Sequence, residues 1–449
     1  MRRIFSGAYR SLRTTGSYVL TLARLCNQLG FWRFVRLPWL FWGGLIRTFR
    51  VWEQGKYTVG VGGGAVSNAA LAAVHDRKAL LDLIWSEFVC KTGSVYVAKD
   101  GFYLFFGGTR NNEREFFFLS RLSESLNVSY SRSSNLSFSD PQRCSDSQRD
   151  FIIKLILFRL VSYFSNRLAY NPISAGLLLA YCKYFYRFFN YFLRSSDNLP
   201  KFAVVANDHS ASAVAFASVT KLFNVLRIYL QHAEVSPRFP PLDFEYSVLR
   251  NERSAQIYRK IGKPTGRVYV VAREPRSAQF EKIFQSPSSA VEVVIYLTAV
   301  FVPERVRGVV ELLERNPAVL GVKLKIHPRT SVELRNALSD KKLLTERYEV
   351  EHIAVVGNSS VAIELLSAGI KVFQLFSLDE IARDYYGFVA DGLTAEVAES
   401  DLLCEFWKRL FYTQAWQERM ASYDPALGPA SDDSERLIRD LAAELPPVR

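Results

Sequence analysis

Residues 321–375 read GVKLKIHPRTSVELRNALSDKKLLTERYEVEHIAVVGNSSVAIELLSAGIKVFQL, and their pattern decides the fold. Lys323 to Ile326 alternate polar and apolar side chains and stop at His327-Pro328, where proline removes a backbone donor and ends a strand. A second strand is expected over Ile353–Val356, followed by a tight turn at Gly357-Asn358. Ser359 and Ser360 then open a helix that runs through Val361-Ala362-Ile363-Glu364-Leu365-Leu366 and stops at Gly369. Another strand follows from Lys371 to Phe376. Strand, loop, strand, helix, strand is the grammar of a parallel α/β sheet, in which ligands bind where strands end and helices begin. Serines at a helix start are caps. The free N–H groups there also attract anions. The pattern therefore predicts His327 and a serine-capped helix start facing one another across a phosphate.

Taken alone, Asn-Ser-Ser before an apolar run is an ordinary N-cap. What adds to it is that His327 and the serines fall at strand ends about 30 residues apart, the length of a strand-helix-strand unit. KIHPR followed by GNSSVAIELLSAGIKVFQL resembles the paired His-Pro and Ser-Ser motifs of bacterial GT-B-fold transferases that use cytidine-nucleotide donors. These are the sialyl- and polysialyltransferases, the Kdo transferases and the teichoic-acid glycerophosphotransferases. The resemblance covers Lys201 to Gly392. It implies an α/β, GT-B-like fold of two Rossmann-like, doubly wound domains facing a cleft, and it implies that His327, Ser359 and Ser360 hold the donor phosphate; Arg329 and Asn358 beside them are expected to join in binding it.

The chain has 449 residues, 49% hydrophobic and 22% charged, enough to bury two cores. Its formal charge of +13 would raise nucleic acid as a partner, but the charge is unevenly placed. Up to Lys56 there are nine arginines and one lysine against one acid, Glu53, interleaved with Phe31, Trp32, Phe34, Trp39, Phe41 and Trp42. Arginine with aromatic rings at this density suits a segment lying at an anionic membrane surface, so residues 1–55 are expected to form a basic, aromatic interface arm. Phe31 to Ile46, broken by Arg33, Arg36 and Pro38, is shorter than the roughly 20 residues of a bilayer span. Arginines 10, 13 and 24 interrupt any signal-peptide core. Cys26, Cys90, Cys144, Cys182 and Cys404 are scattered without metal-ligand spacing and read as reduced thiols of a cytoplasmic protein.

Residues 56–280 are expected to form the first, acceptor-binding domain. Tyr57–Val61 reads as a strand, Gly62-Gly63-Gly64 as a turn and Ala65–Trp85 as a helix, with short strands at 94–98 and 102–106 and an exposed serine-rich loop over 129–148. Phe151–Arg194 reads as two helices. The second carries aromatics all round, which leaves membrane contact and burial both open, and 151–194 is taken as an interfacial helix pair. From Lys201 strands and helices alternate. Lys201–Ala206 ends in Asn207-Asp208-His209-Ser210, a helix runs from Ala211 to Phe223, and the strand Val225–Leu230 ends in Gln231-His232. Two successive strands thus deliver titratable groups to one sheet edge. Gln231-His232-Ala233 also resembles the Gln-His-Gly element of capsule Kdo transferases, with Ala233 departing from it.

A boundary is expected between Gly262 and Ser289, and a nucleotide-sugar domain over 290–395. It opens with the strand Val291–Leu297, ending in Thr298, and a helix over 303–315. Asp379-Glu380 lies beyond the last strand of the quoted stretch, and helices follow over 396–449. No Asp-x-Asp follows an expected strand, so neither metal nor cofactor is expected. The reaction anticipated is transfer of a sugar from a nucleotide donor to a glycan or glycolipid hydroxyl. Asp208 or His232 is the base, and His209, Gln231, Thr298, Glu364 and Glu380 are further cleft candidates. A CMP-linked acid sugar is the favoured donor. A CDP-polyol phosphotransferase and a non-catalytic membrane scaffold are the alternatives. The expected location is cytoplasmic, on the inner face of a bacterial membrane, with no nucleic-acid partner.

Overall fold

A computed structural model describes residues 23–53, 71–92, 103–124, 148–167, 172–195, 199–273, 280–285, 290–424, 427 and 433–444, apart from positions 24, 28, 72, 91, 108, 109, 329, 347, 349 and 410. The expected strands at 57–61 and 94–98, the glycine turn, nearly all of the 129–148 loop and Arg329 lie outside the described residues. The chain divides into two compact units: Met1–Leu230 with Phe244–Ser247 and Leu441–Arg449, and Gln231–Asp243 with Val248–Asp440.

The quoted stretch lies in a six-stranded sheet. Its strands are β6 (Val291–Tyr296), β7 (Val319–Lys325), β8 (Leu343–Leu344), β9 (Ile353–Val356), β10 (Val372–Gln374) and β11 (Ala395–Glu396), in the order β11-β10-β9-β6-β7-β8. Each neighbouring pair is parallel. The chain starts in the middle at β6, winds outward through β7 and β8, crosses back to β9 and winds the other way. This is the Rossmann order, with a switch point between β6 and β9. β9 is buried along its whole length and β6 at every position but Glu292, as strands covered on both faces must be. The helices α8 (Pro303–Glu314), α9 (Val332–Asn336) and α10 (Val361–Ser367) supply crossovers.

The other sheet runs β1 (Tyr103–Phe106), β2 (Phe202–Val205), β3 (Leu226–Leu230), β4 (Tyr246–Leu249), β5 (Arg267–Val270) in chain order, with β1–β2 and β2–β3 parallel. The α/β class with two Rossmann-like sheets is therefore as expected. β4 and β5 are additional. They lie in proline- and glycine-punctuated sequence that reads as loop. Residues 396–449, expected to be helical, start instead at the end of β11 on the sheet edge. Two short 3₁₀ turns and then α11 (Gln414–Ala421) and α12 (Ser434–Ala443) follow.

The two segments expected at a membrane surface both pack on the fold. Phe31–Glu53 forms a 23-residue helix, α1, and it is no detached arm: Leu37, Phe41, Leu45 and Phe49 are buried. The aromatic helix α5 (Pro172–Arg194) is core, with Tyr181, Phe185, Tyr186, Phe188, Phe189 and Phe192 all at most 1% exposed. Aromatics surround α5 because it is packed on all sides, α1 and α6 (Ala211–Leu222) among its neighbours. Gly44 lets α1 approach, since a Cβ there would strike Tyr181 and Ser218. Tyr181 donates its hydroxyl to the Phe41 carbonyl at 3.0 Å. Among the described residues no helix is long and apolar enough to cross a membrane.

Candidate functional site

At the switch point of the six-stranded sheet three strand ends are knitted by one buried carboxylate. Asp379, which follows β10 and a 3₁₀ turn, is 3% exposed. It accepts from the Asn358 backbone N–H at 3.0 Å, the Asn358 side-chain amide at 3.1 Å and the Ile381 N–H at 3.0 Å. Thr298, buried just beyond β6, also hydrogen-bonds it. Burial pushes the Asp379 carboxyl above its ordinary range, while these donors pull the other way. Gly357 is required beside it, because a Cβ there would lie 2.5 Å from Asp379 Oδ2.

Asn358 is occupied in the same network. Its side-chain carbonyl accepts from Tyr385 N at 3.0 Å, and its amide reaches Ile381 O at 3.4 Å besides Asp379. It is a buried strut and not the phosphate ligand expected. The helix start also differs from expectation. Ser360 has helical backbone angles and its side chain makes no capping bond, and α10 is only seven residues long. Ser359 Oγ accepts from Val361 N at 3.4 Å instead. Both serines are half-buried and follow the end of β9. His327, also half-buried, follows β7, and its carbonyl accepts from Thr330 N at 2.9 Å. Glu364 and Glu380 are exposed. The group that organises this edge is Asp379, the neighbour of the Glu380 that sequence reasoning chose. His352 is structural: it is buried, with Nδ1 donating to Val350 O at 2.7 Å and Nε2 facing the Tyr296 hydroxyl at 3.0 Å.

The loop 231–243, which carries His232, belongs to the same unit. Gln231 holds that loop to the fold, accepting from Arg250 N at 2.8 Å and donating to Ser254 Oγ at 2.8 Å and Ala233 O at 2.9 Å. Fully buried, it is not a cleft residue. Glu234 is buried and takes Asn251 Nδ2 at 3.1 Å. Ser236 donates to Tyr385 O at 2.5 Å, and the Arg238 guanidinium lies 5.9 Å from the Tyr385 ring centroid. Tyr385 thus joins Asn358 through its N–H to Ser236 through its carbonyl, and the half-buried His232 is carried on a loop tied to the end of β9. Neither Tyr385 nor Ser236 bears a motif that would announce this.

The Asp208 cluster lies in the first unit. Asn207 Oδ1 accepts from the N–H groups of both His209 and Ser210 at 2.9 Å. Ser210, not Asp208, caps α6 through Ala213 N. The Asp208 side chain is enclosed: Oδ1 lies 2.8 Å from His209 Nδ1, Oδ2 lies 3.5 Å from Arg47, and Arg47 Nε donates to the Asp208 carbonyl at 3.1 Å. A carboxylate accepts only, so His209 Nδ1 carries the hydrogen. Asp208, one of the two residues expected as the base, lies between a histidine and an arginine. Arg47 belongs to the basic stretch expected at a lipid surface, and nothing local in the sequence pairs it with residue 208.

No family model matches the sequence, and no curated protein does. Among solved structures, the chain is similar to the S. aureus MnaA–UDP co-structure, with 12% identity over 76% of this chain and 95% of that one and a TM-score of 0.43. It is also similar to a putative UDP-N-acetylglucosamine 2-epimerase from Listeria monocytogenes, with 11% identity over 79% and 98% and a TM-score of 0.45. CalG4, the calicheamicin glycosyltransferase, aligns at 12% identity over 78% and 100% with a TM-score of 0.41. At these identities and scores the likeness says nothing of activity.

Proposed function

We propose that this protein is a glycosyltransferase that moves a sugar from a nucleotide-activated donor to a hydroxyl of a glycan or glycolipid. The observation that carries the reading is the Rossmann-ordered sheet, whose switch point lies between β6 and β9 and whose strand ends bear His327, Ser359 and Ser360. Hydroxyl and imidazole donors at that edge suit the oxygens of a donor phosphate, with Arg329 adding charge and no divalent ion required. In the transfer, the acceptor oxygen bonds to the anomeric carbon as the bond from that carbon to the phosphate oxygen breaks. The phosphate leaves with the electron pair. The acceptor proton passes to His232, a group whose ordinary pKa suits it for the task. The His-Pro and Ser-Ser motifs favour a CMP-linked acid sugar. The acceptor is placed at an anionic membrane surface, with the protein peripheral on the inner face of the bacterial cytoplasmic membrane.

The test is a thermal-shift panel of CMP, CDP and UDP, followed by donor turnover with CMP-sugars and CDP-polyols. A nucleotide at 100 times its Kd stabilises the fold by about 2.7 kcal/mol. His327→Ala is expected to lower turnover by roughly 10²–10³. Ser360→Ala is expected to lose about 1.5–3 kcal/mol of nucleotide affinity, and His232→Ala to keep that affinity while losing about 10²–10⁴ in rate. Release of CMP from a CDP-polyol would move the assignment to phosphotransfer at the same site. Nucleotide binding by His327→Ala and Ser360→Ala equal to that of the parent would overturn it.

A further inference from the structure

The helix α1 has two faces of opposite character. Leu37, Phe41, Leu45, Thr48 and Phe49 are buried, and Arg47 on the same helix is bonded to Asp208. The other side carries Phe31 at 64% exposure, Trp32 at 75%, Val35 at 42%, Trp39 at 72% and Ile46 at 44%. Trp32, Val35, Trp39 and Ile46 follow one another at spacings of three, four and seven residues, which line up one helical stripe. The ring surface extends onto a second element. Trp39 meets Trp42 edge-on at 6.3 Å, and Trp42 stacks at 5.6 Å on Tyr163, itself 63% exposed, on α4 (Gln148–Phe164). Arg36 is exposed on the same stripe and reaches Asn224, and Arg33 lies over Phe223.

We infer that this stripe is a docking surface for the interface of an anionic lipid bilayer. The inference deepens the membrane association proposed above by naming the side chains that make it, and it rests on that reading only for the acceptor. Exposed tryptophan and tyrosine rings on a fixed helix, flanked by arginine, match an interfacial layer in which rings sit at the boundary and cations meet phosphates. The charge decides the occupant. Pairing with a second copy through a two-fold axis would bring the same arginine-rich segment against itself, because such an interface is self-complementary. Arg33 and Arg36 flank the stripe, and residues 31–52 hold no acid, so anionic headgroups complement this face and a second copy does not.

The full chain is sedimented with phosphatidylcholine vesicles, with and without phosphatidylglycerol. Binding is expected only with the anionic lipid, with a blue shift of tryptophan emission. Trp32→Ser with Trp39→Ser should weaken binding tenfold or more at an unchanged Tm, since both rings are exposed. Arg36→Gln should weaken it about fivefold, the effect of about 1 kcal/mol per basic residue near a charged leaflet. Leu320→Ser, at a 71%-exposed position in β7, should change nothing. The inference is overturned if the double variant binds vesicles as the parent does. It is also overturned if the parent forms a concentration-dependent dimer in sedimentation equilibrium that the double variant loses. Nucleotide thermal shifts on the same variants keep a failure of docking distinct from a failure of the transferase assignment.

Discussion

A carboxylate closed off from water is held in place by the donors around it, and Asp379 has three backbone or amide N–H groups and Thr298. Asp379→Ala strands those buried donors. Each costs about 1–3 kcal/mol, so a loss of about 3 kcal/mol or more in denaturant unfolding is expected. The pH dependence follows from its raised pKa. The native state binds the proton more tightly than the unfolded chain, so Asp379 favours the fold at low pH, and that contribution is lost as pH rises from the ordinary aspartate range through the folded pKa. The stability gap between the parent and Asp379→Asn should therefore be widest in acid and narrow toward neutrality; a gap constant with pH would refute this. Asp379 and its neighbour Glu380 are indistinguishable in sequence. Which of them turns inward is set by the 3₁₀ turn after β10, where Leu378 O takes the Val302 N–H.

At the scale of the element, α1, α5 and α6 form one packed layer. Phe185 is completely buried, meets Phe41 edge-on at 5.0 Å and stacks near Phe189. Phe185→Ala is expected to cost about 3–5 kcal/mol, read as a fall in Tm. A surface-facing α5 would show almost none. Where an apolar run is bounded by glycine or proline, as in β9, α8 and α10, the sequence locates the element to within a residue or two. β4, β5 and β11 escape it because short strands in punctuated sequence are stabilised by their neighbours and not by their own pattern. The cap at Ser360 fails for a similar reason: the geometry of the preceding turn, pinned by Gly357, Asn358 and Asp379, leaves the serine in helical angles, where its hydroxyl cannot turn back.

For the molecule as a whole, α1 is part of the fold it precedes. Deleting residues 1–53 removes Leu37, Phe41, Leu45 and Phe49 from the core and Arg47 from Asp208, and the product is expected to be protease-sensitive with a collapsed near-UV signal. A truncated chain with the parent's Tm would show that the helix is dispensable. What the sequence determined by itself is what local chemistry writes into a short window: two α/β sheets, the strand ends bearing His327 and Ser359-Ser360, and a basic aromatic start. Only the tertiary structure decided the rest. It set the strand order that puts the switch point between β6 and β9, the pairing of Arg47 with Asp208, the tie from Ser236 through Tyr385 to Asn358, and which aromatic helix is buried. Each of these joins groups from about 27 to about 160 positions apart. Period and composition report what a residue tends to do, whereas its partner is fixed by the packing that closes the loop between them.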